Sequence, residues 1–339
     1  MIALSFASCS KEEGTLKEVP KETKTIRLDV SPFEVVTKSG GLVDQRDSIN
    51  FLEAFVFRSG GVLESYRRYG DTEMKTLGRN NLPLEVTPGE KTIYMVANSK
   101  NQDWTGATTV DKFLLVDVPL KGERISYLTM STVFKVDPDT ATVVKVRLKK
   151  LVANVVVNSI KTNFAKTPYS GMSLRNAKIY LTNVSGKKTY MGAEPQTPLI
   201  LNYKGFNAQD AANTFIPNCF SENVHRPVGD AGYSDVHSFY CYENLLAQET
   251  DSDKFTRLVL EAELDGHKYY YPIDINQPGY GWTAPLGEKG IKRGTIYTYD
   301  IVITGPGSDD PESKITRKTI ILDAEAEGFE DGPAFTATF

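Results

Sequence analysis

Short runs of Val, Ile, Thr and aromatic residues recur along the chain at near-even spacing, with Gly, Pro or Asn turns between them. Ile26, Leu28 and Val30 alternate with polar residues, which predicts a half-buried strand. Residues 49–57 are denser in apolar groups and predict a central strand. A short helix is expected only near residues 109–113. Many short strands with regularly spaced turns favour an all-β fold of sandwiches over βαβ units.

The length of 339 residues exceeds what one hydrophobic core usually supports, so we expect two domains. The predicted division is a signal remnant and tether over 1–24, a β-sandwich over 25–142 and a second β-sandwich over 143–339. A net charge of −4 gives no general attraction to nucleic acid. The sequence has no run of about 18 apolar residues, so no membrane-spanning helix is predicted.

The first eight residues are apolar or small and lead directly to Cys9. Small residues before a Cys at the end of an apolar run are typical of a lipoprotein signal, so Cys9 is the candidate lipidation site. The run is short and no Lys or Arg precedes it, so we expect the natural start codon upstream. The alternative is a buried Cys near an apolar N-terminus. Residues 10–24 are rich in Lys, Glu, Thr and Pro, which predicts a flexible linker.

A polar stretch over residues 37–48 separates the first two predicted strands. Gly40 and Gly41 raise the flexibility that a protease needs to bind the segment in extended form, and Lys38 and Arg46 are the basic residues within it. Strands on both sides are protected by hydrogen bonds and burial, so a trypsin-like protease is expected to cut here first.

Few residues form patterns that carry chemistry. His225, His237 and His267 lack helical metal-site spacing, and we expect them at the surface or in loops. No nucleophile elbow or phosphate-binding loop is present, so no catalytic residue, cofactor or metal site is predicted. The acidic pairs Asp251 with Asp253 and Asp309 with Asp310 are expected to make turns, with Ca²⁺ binding as the alternative.

Two further groups leave alternatives open. Cys219 and Cys241 are candidates for a disulfide in an exported protein, but their apolar surroundings equally suit two small buried residues. Tyr269, Tyr270 and Tyr271 near Trp282 have the composition of a sugar-stacking platform. Alternate residues of a strand face opposite sides, so at most half of these tyrosines can share one surface.

Four stretches of the chain together carry a family resemblance. The first is the apolar N-terminus that ends at Cys9, with the Lys-Glu-Glu sequence that is similar to the signal of surface-exposed lipoproteins. The second is residues 49–57 with 88–98, and the third is the basic-apolar run over 146–153. The fourth and most specific is residues 301–312, with the strand after it and the C-terminus over 337–339. In this order they resemble the opening strand pair, the entry into the second domain and the C-terminal segment of the FimA/Mfa-type fimbrillins of Bacteroidales. The resemblance covers essentially the whole chain, although residues 160–240 match only in a general way.

The resemblance implies two transthyretin-like β-sandwich domains and polymerisation by strand exchange. It also implies that the N-terminal strand acts as an internal plug, with Ile26, Leu28, Val30, Phe33 and Val35 as its apolar residues. A maturation protease then cuts at Lys38 or Arg46, and a strand from another subunit, with the C-terminal segment as candidate donor, replaces the plug. The chain departs from the family pattern in its short signal segment and at the position where some members carry an Arg for cleavage.

The implied partners are other copies of the chain or related fimbrial subunits, the protease, host or bacterial surface ligands, and the outer membrane through the lipid on Cys9. The implied location is the outer membrane first and the extracellular fimbrium afterwards. Three alternatives to a stalk subunit stay open: an anchor or tip subunit, a monomeric glycan-binding surface lipoprotein, and an enzyme.

Overall fold

A computed structural model describes residues 22–32, 48–100, 103–212, 221–277, 289–313, 315 and 320–328. Strands dominate these residues, and three short α-helices accompany them. The predicted all-β fold with few short helices is confirmed. Among the described residues, no helix has the length and hydrophobicity that crossing a bilayer requires.

The elements divide into two groups along the chain. The first group is β1 (Lys24–Pro32), β2 (Leu52–Arg58), β3 (Leu63–Tyr69), α1 (Asp71–Leu77), β4 (Leu82–Val86), β5 (Lys91–Ala97), α2 (Val110–Leu114), β6 (Asp117–Pro119), β7 (Met130–Val136) and β8 (Val143–Lys150). The second group is β9 (Val152–Thr162), β10 (Arg175–Thr182), β11 (Val184–Ser185), β12 (Lys187–Thr189), β13 (Ile200–Leu201), α3 (Ala208–Ala212), β14 (Ser221–Asn223), β15 (His237–Tyr242), β16 (Asn244–Leu245), β17 (Arg257–Leu264), β18 (His267–Asp274), β19 (Gly290–Ile291), β20 (Thr295–Ile303) and β21 (Ile320–Gly328).

The first group forms a sheet with the strand order β3-β2-β5-β7-β8-β1-β4. Most of β8 pairs with β1, whereas its last two residues pair with β7. Buried side chains of β1 and β4 and those of β2, β5 and β7 belong to one hydrophobic cluster. The sheet therefore folds over at β8, and its two halves enclose the N-terminal core.

Strand β2 is buried on both faces, which explains its nearly continuous apolar sequence. Leu52, Ala54 and Val56 belong to the N-terminal core, while Phe55 and Phe57 point into a second cluster. The segment that contains α2 covers this second face, and Phe113 of α2 packs 4.8 Å from Phe55 between ring centroids. The prediction of a central strand at residues 49–57 is therefore confirmed for β2.

The second group contains two four-stranded sheets, with the orders β14-β10-β17-β18 and β15-β9-β20-β21. Strand β20 pairs in parallel with β9 and antiparallel with β21, which lies at the edge of its sheet. Buried side chains of both sheets share one large cluster, represented by Val155, Ile179, Leu260 and Tyr299. This arrangement is a β-sandwich.

Strand β8 belongs by its pairing to the N-terminal sheet. Val146 and Leu148 are buried in the N-terminal core, next to β1. The boundary expected at residue 143 would separate β8 from both of its strand partners. We therefore propose a boundary at Leu151, the single residue between β8 and β9.

Arg293 joins the two sandwiches. It precedes β20, is only 8% exposed, and its Nη2 donates to Ser131 Oγ at 2.9 Å and to Lys149 O at 2.8 Å. Its Nε donates to Lys150 O at 3.2 Å. One guanidinium thus satisfies acceptors at the ends of β7 and β8. The pairing of β6 with β12 adds a second connection between the two groups.

Replacing Arg293 is expected to destabilise the whole chain. Arg293→Met keeps an aliphatic side chain but leaves the buried acceptors of Ser131, Lys149 and Lys150 without this donor. Each such loss costs about 1–3 kcal/mol, so we expect the free energy of unfolding in urea to fall by roughly 3 kcal/mol or more. The matched control is Arg175→Met on the exposed start of β10. Equal midpoints for the two variants would contradict the assigned role of Arg293.

Candidate functional site: the first strand and its groove

Strand β1 is the middle strand of the β8-β1-β4 half of the N-terminal sheet. It pairs in parallel with β8, from Arg27 opposite Val143 to Pro32 opposite Leu148. It pairs antiparallel with β4, from Lys24 opposite Val86 to Leu28 opposite Leu82. The two pairings overlap only at Arg27 and Leu28. Strand β1 thus fills a groove with one wall toward β4 and one toward β8.

The alternation in β1 determines which side chains are buried. Ile26, Leu28 and Val30 are buried in the N-terminal core, whereas Thr25 and Arg27 are exposed. The buried groups of β4 and β8 that belong to the same core are Leu82, Leu84, Val86, Val146 and Leu148. Fully burying an aliphatic side chain is worth about 1.5–3 kcal/mol, an upper value because unfolded chains already bury some apolar surface.

Polar contacts fix both ends of β1. Lys24 Nζ forms an ion pair with Asp139, and Arg147 Nη1 donates to Ser31 Oγ. The hydrogen bond with Lys24 lowers the pKa of Asp139, and the same bond raises the pKa of Lys24. In the middle of the strand, Arg27 Nη1 donates to Asn81 Oδ1 at 2.9 Å. These exposed contacts set the register of β1 more than its stability, since surface ion pairs contribute little free energy.

The other residues that the sequence assigns to this site lie outside the described residues. They are Cys9, Phe33, Val35, Lys38 and Arg46. Of the predicted plug residues, Ile26, Leu28 and Val30 lie together on the core face of β1.

Cys241 lies in β15, opposite Ala153 of β9, and is completely buried with a free thiol. Burial raises the pKa of this thiol to about 12, so it is protonated at neutral pH. Its environment is that of a small apolar core residue. Cys219 lies outside the described residues, so the disulfide stays a prediction.

The structure separates the three histidines. His225 and His267 are exposed, as expected. The expectation is wrong for His237, which begins β15, is buried, and contacts the Glu222 carboxylate of β14 through Nδ1. This contact joins edge strands of the two C-terminal sheets. Within the described residues, no group of three or more His, Cys, Asp or Glu has metal-binding geometry.

The three consecutive tyrosines do not form one flat surface in β18. Tyr271 is buried and donates to Gly305 O at 3.2 Å, while Tyr269 and Tyr270 are half-buried. Trp282 lies outside the described residues.

The Gly-Pro-Gly stretch after β20 closes the edge of β18. Tyr270 and Ser308 exchange two backbone hydrogen bonds, at 2.8 and 2.9 Å. A Cβ on Gly307 would lie 2.3 Å from Tyr270 O, so only glycine allows this approach. Asp310 accepts from Glu312 N at 2.6 Å, which makes the predicted turn at this acidic pair.

The groove walls were not predicted from the sequence. Leu82, Leu84 and Val86 alternate as a strand should, yet periodicity alone does not identify the neighbouring strand. Val146 and Leu148 lie in a segment that the sequence assigns to the second domain. The contacts of Lys24 and Arg147 join residues 115 and 116 positions apart, for which the sequence carries no local signal.

Residues 25–214 match the family described as "Major fimbrial subunit protein (FimA)". Among curated relatives, the chain is 21% identical to the major fimbrium subunit FimC of Porphyromonas gingivalis, over 98% of this chain and 70% of FimC. It is 22% identical to the major fimbrium subunit FimA type-5 of the same species, over 93% of this chain and 91% of that protein.

Solved structures from the same species share the fold. A fimbrilin (FimA) superposes with a TM-score of 0.58 at 19% identity, covering 90% of this chain and 97% of that one. The tip fimbrial protein Mfa3 superposes with a TM-score of 0.53 at 13% identity, covering 91% of this chain and 100% of that one. The family match includes β1, β4 and β8, the three strands of the site. The chain belongs to the major fimbrial subunit protein (FimA) family.

Proposed function

We propose that this chain is a stalk subunit of a surface fimbrium that polymerises by strand exchange at the groove of β1. Membership of the family gives the coarser part of this function, a structural fimbrial subunit of the cell surface and not an enzyme. Polymerisation with copies of itself or related subunits follows from the same membership. Export as a lipoprotein, proteolytic maturation and exchange of β1 are the proposed mechanism.

The position of β1 between β4 and β8 is the observation that supports the exchange. Removal of β1 uncovers the apolar walls of the groove and leaves two strands with unpaired edges. Unpaired edges beside an apolar groove favour pairing with a strand from another chain. A strand with apolar residues at alternate positions would restore both the backbone hydrogen bonds and the burial that Ile26, Leu28 and Val30 provide.

Cleavage releases β1 only slowly in this mechanism. A cut at Lys38 or Arg46 severs the covalent connection between β1 and β2, but the buried side chains and two ladders of β1 remain in place. An incoming strand therefore has to replace β1, instead of occupying an already empty groove. Because β1 stays in the groove after cleavage, the subunit remains a monomer until a strand from another subunit is present.

Removing both basic residues is expected to prevent assembly. Lys38→Ala with Arg46→Ala should yield a stable monomer, because a trypsin-like protease has no basic residue left between β1 and β2. Limited trypsin treatment followed by electrophoresis without boiling measures the result: wild type gives an SDS-resistant ladder and the double variant one band. The substitution Lys24→Ala, upstream in β1, is the control and leaves the ladder. Fibres formed by the double variant at the wild-type rate would show that cleavage here is not the trigger.

Lipidation is expected to depend on Cys9. In a precursor with its full signal peptide, Cys9→Ala should give a soluble, unassembled protein, because no acyl chain anchors it; each buried CH₂ contributes about 0.8 kcal/mol. Fractionation of cells with detergent extraction measures the partition, and Ser10→Ala serves as the control. Recovery of Cys9→Ala protein in the outer-membrane fraction would contradict the lipoprotein assignment.

A further inference from the structure

Among the described strands, β4 has one neighbour in the sheet, which is β1. Loss of β1 therefore removes every ladder hydrogen bond that β4 makes among the described residues. Strand β8 is in a different position, because its last two residues remain paired with β7. The wall formed by Leu82, Leu84 and Val86 is thus the part of the groove that needs support when β1 leaves.

Side chains of β3 provide such support across the gap between the two ends of the sheet. Strands β3 and β4 are the terminal strands of the sheet order and do not pair with each other. Tyr69 Oη donates to Pro83 O at 2.7 Å, near the start of β4. Just beyond its end, Thr87 N and Thr87 Oγ1 donate to the two oxygens of the Glu64 carboxylate, each at 2.7 Å. One contact lies at each end of β4.

A β-bulge accounts for the position of Glu64. In the pairing of β2 with β3, Val56 lies opposite Ser65 and Phe57 lies opposite Leu63, so Glu64 is the extra residue. Residues 64 and 69 are five positions apart and would face opposite sides of a regular strand. A bulge changes the direction of the side chain, so both residues reach β4.

The Glu64 carboxylate is held by neighbours that do not belong to β1. Its side chain is 6% exposed, and Arg58 Nε donates to Glu64 Oε2 at 3.1 Å. Burial opposes ionisation, yet the hydrogen bonds from Thr87 and Arg58 keep the pKa of Glu64 below its usual value. Tyr69 is completely buried in the N-terminal core. None of these contacts requires the presence of β1.

We propose that Glu64 and Tyr69 are positioning residues that hold β4 in register when β1 leaves, so that the groove stays open for an extended strand of another subunit. The inference rests on the proposed strand exchange. In the intact monomer, both β1 and the contacts from β3 hold β4 in place. Once β1 has gone, the contacts from β3 are what keeps the β4 wall opposite β8 at the spacing of a sheet.

The test uses all 339 residues of the chain with the substitution Leu28→Asp. This substitution places a carboxylate in the apolar groove, where it has no partner, and β1 should therefore leave the groove. The probe is a fluorescent peptide of residues 22–36 with the natural sequence, and its association rate is measured by stopped-flow anisotropy. Tyr69→Phe with Thr87→Val removes two of these three hydrogen bonds, those donated by the Tyr69 and Thr87 hydroxyls, with little change in side-chain volume; the bond from Thr87 N to Glu64 Oε1 remains. The matched control is Tyr271→Phe with Thr162→Val, which removes one Tyr and one Thr hydroxyl contact in the C-terminal sandwich.

We expect the Tyr69 and Thr87 pair of substitutions to slow peptide association at least tenfold relative to the control pair. In the chain with Leu28 present, the two pairs should lower the unfolding midpoint by similar amounts, because β1 then holds β4. Equal association rates for the two pairs would overturn the role of Glu64 and Tyr69. If Leu28→Asp alone takes up no peptide, the strand exchange itself fails.

Peptide uptake by the trypsin-nicked chain decides the inference without Leu28→Asp. The labelled peptide should replace β1 more slowly in the Tyr69 and Thr87 variant than in the control pair. Equal rates of replacement in the two nicked variants would overturn the proposal.

Discussion

The parallel pairing of β1 with β8 is the interaction on which the N-terminal sandwich depends. It connects β1 and β4 to the other strands of the sheet, because among the described strands β4 pairs only with β1, and β1 is linked to β7 only through β8. The apolar face of β1 completes the core that β2, β5 and β7 line from the other side. One nine-residue strand thus supplies backbone partners to two strands and side chains to the core.

The two sandwiches are not independent bodies joined by a linker. Strands β8 and β9 are separated only by Leu151, so one nearly continuous extended segment runs from the groove of β1 into the C-terminal sheet. The large core includes Phe55 and Phe57 of β2 together with residues of both C-terminal sheets. Arg293 adds hydrogen bonds to the ends of β7 and β8. The strands of the site are therefore connected to the C-terminal sandwich through Leu151, a shared core and Arg293.

The local pattern of apolar and polar residues was sufficient to predict strands such as β1 and β2 and the all-β fold class. The alternation of Ile26, Leu28 and Val30 identified β1 and its buried face, and the dense apolar run identified β2. The small helix α1 was missed because Asp71 to Leu77 is short and its signals, flanking glycines and an acidic first turn, are weak. The proposed boundary at Leu151 has no signal in the sequence, because β8 and β9 are both apolar and adjacent and no change in composition marks that residue.

The pairing of strands that are far apart in the chain could not be predicted from the sequence, for a different reason. The partners of β1 are identified by packing in three dimensions, and both β4 and β8 have the same alternating pattern as other strands. Glu64 was not recognised because its proposed role depends on a β-bulge. The bulge changes the direction of the side chain, and no residue type in the sequence marks its position. The buried His237 shows the same limit, since its contact with Glu222 joins strands of different sheets.

The separation of β1 from β8 has a consequence for the order in which the chain is made. Ser31 and Arg147, which face each other in the finished sheet, are 116 residues apart. At a synthesis rate of about 5–20 residues per second, β8 follows β1 after roughly 6–23 seconds. Until β8 emerges, β1 has at most β4 as a strand partner, and β4 is itself made after β1. Of the described strands of the N-terminal sheet, β1 is thus synthesised first, yet both of its edges are paired only when β8 is complete.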